Sequence, residues 1–136
     1  MDDCLFCKIA AGEIPARKIY EDDQVVAFLD IQPVSRGHLL VIPKEHSESV
    51  VEMPIEQLPH VFGAVQRLGR AVERALGAQG FNIVVNKGAA AGQVIFHTHV
   101  HVIPRSDGDG LKAWPKLEVT DEQLDQFATD ISEALQ

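Results

Sequence analysis

The stretch Phe96-His97-Thr98-His99-Val100-His101-Val102-Ile103 alternates imidazole with Thr or Val. Period two is the pattern of a β-strand, whose successive side chains point to opposite faces. The alternation predicts a strand from Phe96 to Ile103, with His97, His99 and His101 on one face and Thr98, Val100 and Val102 turned into a core. Neighbouring imidazoles on that face start ~6.6 Å apart, two strand rises of ~3.3 Å. With six histidines in the whole chain, three on one strand face exceeds what composition alone would place there.

Working outward, Phe81-Asn82-Ile83-Val84-Val85-Asn86 reads as a second strand, joined to the first through a loop with Gly88 and Gly92, so the two predict an antiparallel hairpin. Upstream, Ile55 to Leu76 places Leu58, Val61, Phe62, Val65, Leu68, Val72 and Leu76 at helical spacing before Gly77, which predicts one amphipathic helix. Its regular part should begin near Pro59, because proline is tolerated only in a first turn. Gln24–Asp30 and His38–Ile42 predict an antiparallel pair across a turn-rich segment, and Lys18-Ile19-Tyr20 a short strand before them. The tail opens with a capping-box pattern, Thr120 to Gln123, and sets Leu124, Phe127, Ile131 and Leu135 along one helical face. Five strands followed or interrupted by separate helices predict an α+β fold built on an antiparallel sheet.

At 136 residues the chain has room for one domain, and 46% hydrophobic with 24% charged residues is a globular composition. The 12 basic and 20 acidic residues give a net charge of −8 with the cations scattered, which argues against a nucleic-acid partner. No apolar run reaches the ~20 residues of a membrane span, and Met1-Asp2-Asp3 has the wrong charge for a leader, so a cytoplasmic protein is expected. Cys4 and Cys7 are the only cysteines, too few and too close for a secreted disulfide framework. Two cysteines three apart can ligate one zinc if two more ligands come from elsewhere. Redox chemistry and ordinary buried thiols are the alternatives, the first weakened because no strand precedes the pair.

An imidazole row suits nucleophilic attack at phosphorus near neutral pH, since the unprotonated nitrogen is basic and a covalent intermediate divides one hard step into two. One ring nitrogen must first be fixed, for which a bond to a backbone carbonyl suffices. The rival reading is a metal site, because two histidines two apart on a strand can share an ion.

The run His97-Thr98-His99-Val100-His101-Val102-Ile103 resembles the His-x-His-x-His motif of the histidine-triad family. Phe6-Cys7-Lys8-Ile9 with Gly12-Glu13-Ile14-Pro15, Phe28-Leu29-Asp30-Ile31 with Gly37 to Lys44, and Gly92-Gln93 agree in order and spacing. The resemblance covers about residues 4–105, taken as the domain, with 106–136 expected as a C-terminal loop and helix packed on it. It is closest to the nucleoside phosphoramidate hydrolase branch, in the bacterial type with an N-terminal cysteine pair.

That resemblance implies a five-stranded sheet that dimerises, His99 as the nucleophile, and His101 and His38 in the hydrogen-bonding network around it. It implies phosphate contacts from Asn86 and Gln93, the latter also suggested by the glycine loop at Gly92, whose N–H groups can face a phosphoryl oxygen. Asp30 falls where the family holds ribose hydroxyls, and Phe6, Ile9, Phe28 and Ile31 where it forms the base pocket. Val94 stands where many members carry a serine near the leaving group, and Trp114 lies in the segment that reaches toward a partner's site. For the cysteine pair, the resemblance implies a structural zinc held by Cys4, Cys7, His46 and His97, with no catalytic cofactor. The expected function is nucleotidyl hydrolysis or transfer at the α-phosphate of a purine nucleotide. Diadenosine polyphosphate hydrolysis, a nucleotide-binding module and a metal hydrolase stand as alternatives.

Overall fold

A computed structural model describes residues 3–135. Met1 and Asp2, used above against a leader, and Gln136, the last residue of the C-terminal segment, lie outside the described residues. The elements are α1 (Leu5–Ala10), β1 (Lys18–Glu21), β2 (Val25–Leu29), β3 (Leu39–Pro43), α2 (Leu58–Leu76), β4 (Gly80–Val84), β5 (Val100–Arg105) and α3 (Asp121–Ala134). The strands form one sheet in the order β1-β2-β3-β5-β4, antiparallel throughout. The α+β reading and its five strands hold.

β2 and β3 are buried on both faces, which explains why they read as continuous apolar runs rather than alternating ones. On one face Val25, Ala27, Leu39, Val41, Val100 and Val102 pack under α2, which buries Val61, Ala64, Val65, Leu68 and Val72 against them. On the other, Val26, Phe28, Leu40 and Ile42 meet Phe6 and Ile9 of α1. The helix α2 begins at Leu58 with Pro59 in its first turn and ends at Gly77, whose φ of +69° only glycine adopts cheaply.

Two expectations change. The last strand starts at Val100 rather than Phe96, because the Thr98 main chain bonds to Ser47 beyond β3 instead of a sheet neighbour. Thr98 N–H donates to the Ser47 carbonyl at 2.8 Å and the Thr98 and Ser47 hydroxyls are 2.7 Å apart. Only His101 is therefore in a strand, yet all three rings lie on the α1 side. His101 pairs with Leu40 of that face, and Phe6 meets the rings of His97 and His99 edge-on.

The short helix α1, whose six residues are too few to show a period in the sequence, is capped by the Cys4 thiol, which accepts the Cys7 N–H at 3.3 Å. The capping box of α3 is present, Thr120 and Gln123 bonding reciprocally. Its apolar residues, however, are not packed on the domain: Leu124, Phe127, Ile131 and Leu135 are all exposed. The two sheet faces are already covered by α2 and α1, and α3 packs against neither.

Candidate active site

A cleft of about 490 Å³ opens on the α1 side of the sheet, within the ~300–1,000 Å³ common for small-molecule sites. Phe6, Ile9, Phe28 and Leu40 make an apolar wall, and His99 and His101 line the cleft beside Asp30, Asn86 and Arg17. Of the residues assigned to nucleotide from sequence, Phe6, Ile9, Phe28, Asp30, Ile31, Asn86, Gly92 and Val94 all border this space. Ile31 and Val94 are 83% and 80% exposed, so they rim the mouth rather than fill a pocket.

Gln93 is the exception. Its side chain is buried and turned inward: Oε1 accepts the Gly88 N–H at 2.8 Å, and Nε2 donates to the carbonyls of Glu48 at 2.7 Å and Ile95 at 3.2 Å. Those bonds occupy the amide, so Gln93 braces the glycine loop and does not present its side chain to a phosphate.

The histidine tautomers follow from groups that have no choice of role. A carbonyl only accepts, so His99 Nδ1, 2.7 Å from the His97 carbonyl oxygen, carries the proton and Nε2 carries the lone pair. A backbone N–H only donates, so His38 Nδ1, which receives the Val34 N–H at 3.1 Å, is bare. Its Nε2–H then donates to His101 Nδ1 at 2.9 Å, which leaves the proton of His101 on Nε2. One imidazole lining the cleft thus offers a lone pair and its neighbour, with ring centroids 5.0 Å apart, offers an N–H.

Burial keeps these rings neutral. Desolvation holds His99 below the ordinary imidazole value against the opposing pull of the His97 carbonyl and Asp30, and it lowers His38 and His97 in the same way. His101 is pushed down to about 4, first by burial and then by His99 and His38 beside it. The lone pair of His99 is accordingly available at neutral pH without a base to remove a proton.

Among the described residues, two groups of side chains bring metal-ligating atoms within 4.8 Å of one another, Cys4-Cys7-His46-His97 and Asp30-His38-His101. Tautomers separate them. In the second, the Val34 N–H obliges His38 to keep its proton on Nε2, the atom that would have to bind an ion. In the first, His97 Nε2 donates to the Pro43 carbonyl at 2.8 Å, which bares Nδ1. That single lone pair faces Cys4 Sγ at 3.3 Å, Cys7 Sγ at 3.5 Å and His46 Nδ1 at 3.2 Å, more polar neighbours than it can accept from. Cys7 Sγ to His46 Nδ1 is another 3.3 Å. Ligands ~2.0–2.3 Å from a tetrahedral zinc stand roughly 3.3–3.8 Å apart, so the donor set and its spacing fit such an ion. Burial and the adjacent Cys4 raise the Cys7 thiol to about 11, so an ion there displaces a proton on binding.

The sequence reading missed Arg17 and Leu40 as cleft residues. Leu40 had a usable signal, two positions from His38 on a strand and therefore on its face. Arg17 had none, since it follows Ile14-Pro15-Ala16 in an irregular segment.

Comparison with known proteins places this geometry. The chain matches the HIT domain over residues 11–108. It is 45% identical over 130 residues to Adenylylsulfatase HINT3 of Arabidopsis thaliana, covering 96% of this chain and 66% of that protein. It is 37% identical over 131 residues to Adenosine 5'-monophosphoramidase hnt1 of Schizosaccharomyces pombe, covering 95% of this chain and 96% of the relative. The crystal structure of a zinc-bound histidine triad family protein from Mycobacterium smegmatis superposes with a TM-score of 0.78 at 38% identity, over 99% of both chains. Among the described residues no helix is long and apolar enough to cross a membrane. With a domain match over residues 11–108 and a relative 37% identical that is covered over 96% of its own length, the chain belongs to the HIT domain family.

Proposed function

We propose that this protein is a nucleotidyl hydrolase that cleaves purine nucleoside phosphoramidates, or nucleotides related to them, at the α-phosphate through a covalent intermediate on His99. The observation that carries the reading is the 2.7 Å contact between His99 Nδ1 and the His97 carbonyl, which bares Nε2 in a ring bordering a nucleotide-sized cleft. The names of two relatives agree on the reacting centre: an adenylylsulfatase and an adenosine monophosphoramidase both part an adenylyl group from what its α-phosphorus carries.

In this reading the base lies against Phe6, Ile9 and Phe28, and the Asp30 carboxylate accepts from the ribose hydroxyls. Asn86 faces the phosphate from the cleft wall, whereas the N–H groups of Gly88, Ala91, Gly92 and Gln93 are taken by bonds within the glycine loop, which corrects the expectation that they meet a phosphoryl oxygen. His99 Nε2 attacks phosphorus and the bond to the leaving group breaks; the neutral His101 Nε2–H hydrogen-bonds the departing nitrogen or oxygen, which takes its proton from solvent. Water then attacks the nucleotidyl-histidine, releasing the nucleoside monophosphate and returning His99 to its starting form.

The zinc-bound relative and the fit of the donor set support a structural zinc at Cys4, Cys7, His46 and His97. When bound, the ion supplies a crosslink from the N-terminal arm to the sheet and takes no part in the displacement. The uncovered face of α3 supports assembly as a homodimer, which light scattering on the purified chain would test.

Initial rates with adenosine phosphoramidate, adenylyl sulfate and diadenosine tetraphosphate at equal concentration test the reaction class. We expect AMP release fastest from the phosphoramidate. A preference for the tetraphosphate would move the assignment to dinucleotide hydrolysis, and binding of AMP without turnover of any of the three would reduce the site to a binding module.

A further inference from the structure

The cluster Cys4-Cys7-His46-His97 and the cleft are built from shared parts. Helix α1 carries Cys7 and is capped by Cys4 on the cluster side, while Leu5, Phe6 and Ile9 of the same helix line the cleft. Phe6, between the two cysteines, meets the His97, His99 and Phe28 rings edge-on at centroid distances of 6.0, 5.1 and 5.5 Å. His97 is the second shared part, since its ring belongs to the cluster and its carbonyl holds the proton of His99.

Helix α1 has six residues, whereas isolated helices need ~12–15 to be even marginally stable. Its place therefore depends on tertiary attachment, and Phe6 and Ile9 are its only buried side chains. An ion shared by Cys4, Cys7, His46 and His97 fastens α1 to the sheet at two further points. Without the ion, the wall that carries Phe6 is held by the burial of Phe6 and Ile9, the packing of Ala10, and the weak polar contacts of Cys4 and Cys7 with His97 and His46.

We propose that metal loading of the cluster and nucleotide binding in the cleft are thermodynamically linked, each raising the affinity of the other, with Phe6 and His97 as the positioning residues. The proposal rests on the nucleotide reading of the cleft. Linkage makes the two effects equal: whatever factor the metal contributes to nucleotide affinity, nucleotide contributes to metal affinity. Couplings of this kind commonly reach about tenfold, and that is the size expected here.

The test uses the full chain with Zn²⁺ and AMP as probes. AMP affinity is measured by calorimetry on zinc-loaded and chelator-stripped protein, and zinc affinity by competition with a colorimetric chelator, with and without saturating AMP. We expect AMP to bind the loaded form about tenfold more tightly and AMP to tighten zinc by the same factor. Phe6→Ala keeps all four ligands, so it should bind both probes, AMP more weakly, with a linkage factor near one.

If both probes bind the wild type and neither affects the other, the linkage is overturned and the nucleotide reading stands. If AMP binds neither form, the nucleotide reading fails and the linkage with it. Should stripping the metal abolish the circular dichroism of the whole chain, or Phe6→Ala retain the full factor, coupling runs through global stability and the role given to α1 is wrong.

Discussion

The carbonyl oxygen of His97 lies 2.7 Å from Nδ1 of His99, while the ring of His97 turns away to donate to Pro43 and to face Cys4, Cys7 and His46. Adjacent motif histidines thus serve different sites. The main chain of one sets the tautomer of the next, and a second main-chain group, Val34 N–H, sets His38 and through it His101. Removing the His38 ring deprives His101 Nδ1 of its donor and frees its tautomer. We expect His38→Ala to lower kcat roughly 10²-fold, the scale of losing one oriented hydrogen-bond donor to the reacting group, with AMP affinity nearly unchanged by calorimetry.

Burial of neutral histidines makes stability depend on pH with a definite sign. His101 titrates at about 4 in the folded chain against an ordinary value of 6.5, so between these values the unfolded chain holds a proton that the folded chain lacks. Stability is full above the upper value and falls as pH drops toward the lower one, and His38, His97 and His99 are shifted in the same direction. The urea midpoint should decline from about pH 7 to about pH 5, less steeply in His101→Asn. A midpoint that is flat or rises toward acid would contradict the assignment of neutral rings.

Asp30 bonds the Gln32 N–H through Oδ1 at 2.8 Å and lies 3.5 Å from His38 Nε2 through Oδ2, at the border of the cleft. Hydrogen bonds to a charged group are worth ~1.5–3 kcal/mol, so Asp30→Ala should weaken AMP by about ten- to a hundredfold. The wild type should also prefer AMP to its 2′,3′-dideoxy analogue, and the variant should not. Calorimetric titration of both ligands reads the difference.

Two glycines of α2 separate backbone propensity from packing. A Cβ on Gly69 would enter the ring of Phe81 in β4, whereas one on Gly63 would meet nothing within 4 Å. Gly69→Ala should destabilise by ~1–3 kcal/mol through overpacking, and Gly63→Ala should stabilise by ~0.5–1 kcal/mol, since alanine favours a helix interior. Chemical denaturation of both variants checks the pair.

Elements carried by their own periodicity were legible in the sequence: α2 from its apolar spacing and Gly77, α3 from its capping box, and β2 and β3 from apolar runs between turns. Residues whose role depends on partners far along the chain were not. The His97 to His99 segment satisfies strand alternation, yet Ser47 takes the Thr98 main-chain hydrogen bond and the strand begins only at Val100. Gln93 looks like a phosphate ligand until Glu48, Gly88 and Ile95 are seen to occupy its amide. The stripe on α3 announces burial but names no surface to bury against, and its residues stay exposed in this chain. Neighbourhood in sequence carried the metal-ligand spacing of Cys4 and Cys7, whereas bringing His46 and His97 to them required the fold or a resemblance.

The proposal that His99 Nε2 is the nucleophile is tested most directly by intact-protein mass spectrometry after rapid acid quench of enzyme mixed with adenosine phosphoramidate. We expect wild-type protein heavier by one adenylyl group during turnover, with the adduct mapped to His99 and lost on longer incubation. His99→Ala, folded by circular dichroism, should form no adduct and release no AMP. An adduct on another residue, or AMP release by His99→Ala at the wild-type rate, would contradict the covalent role given to His99.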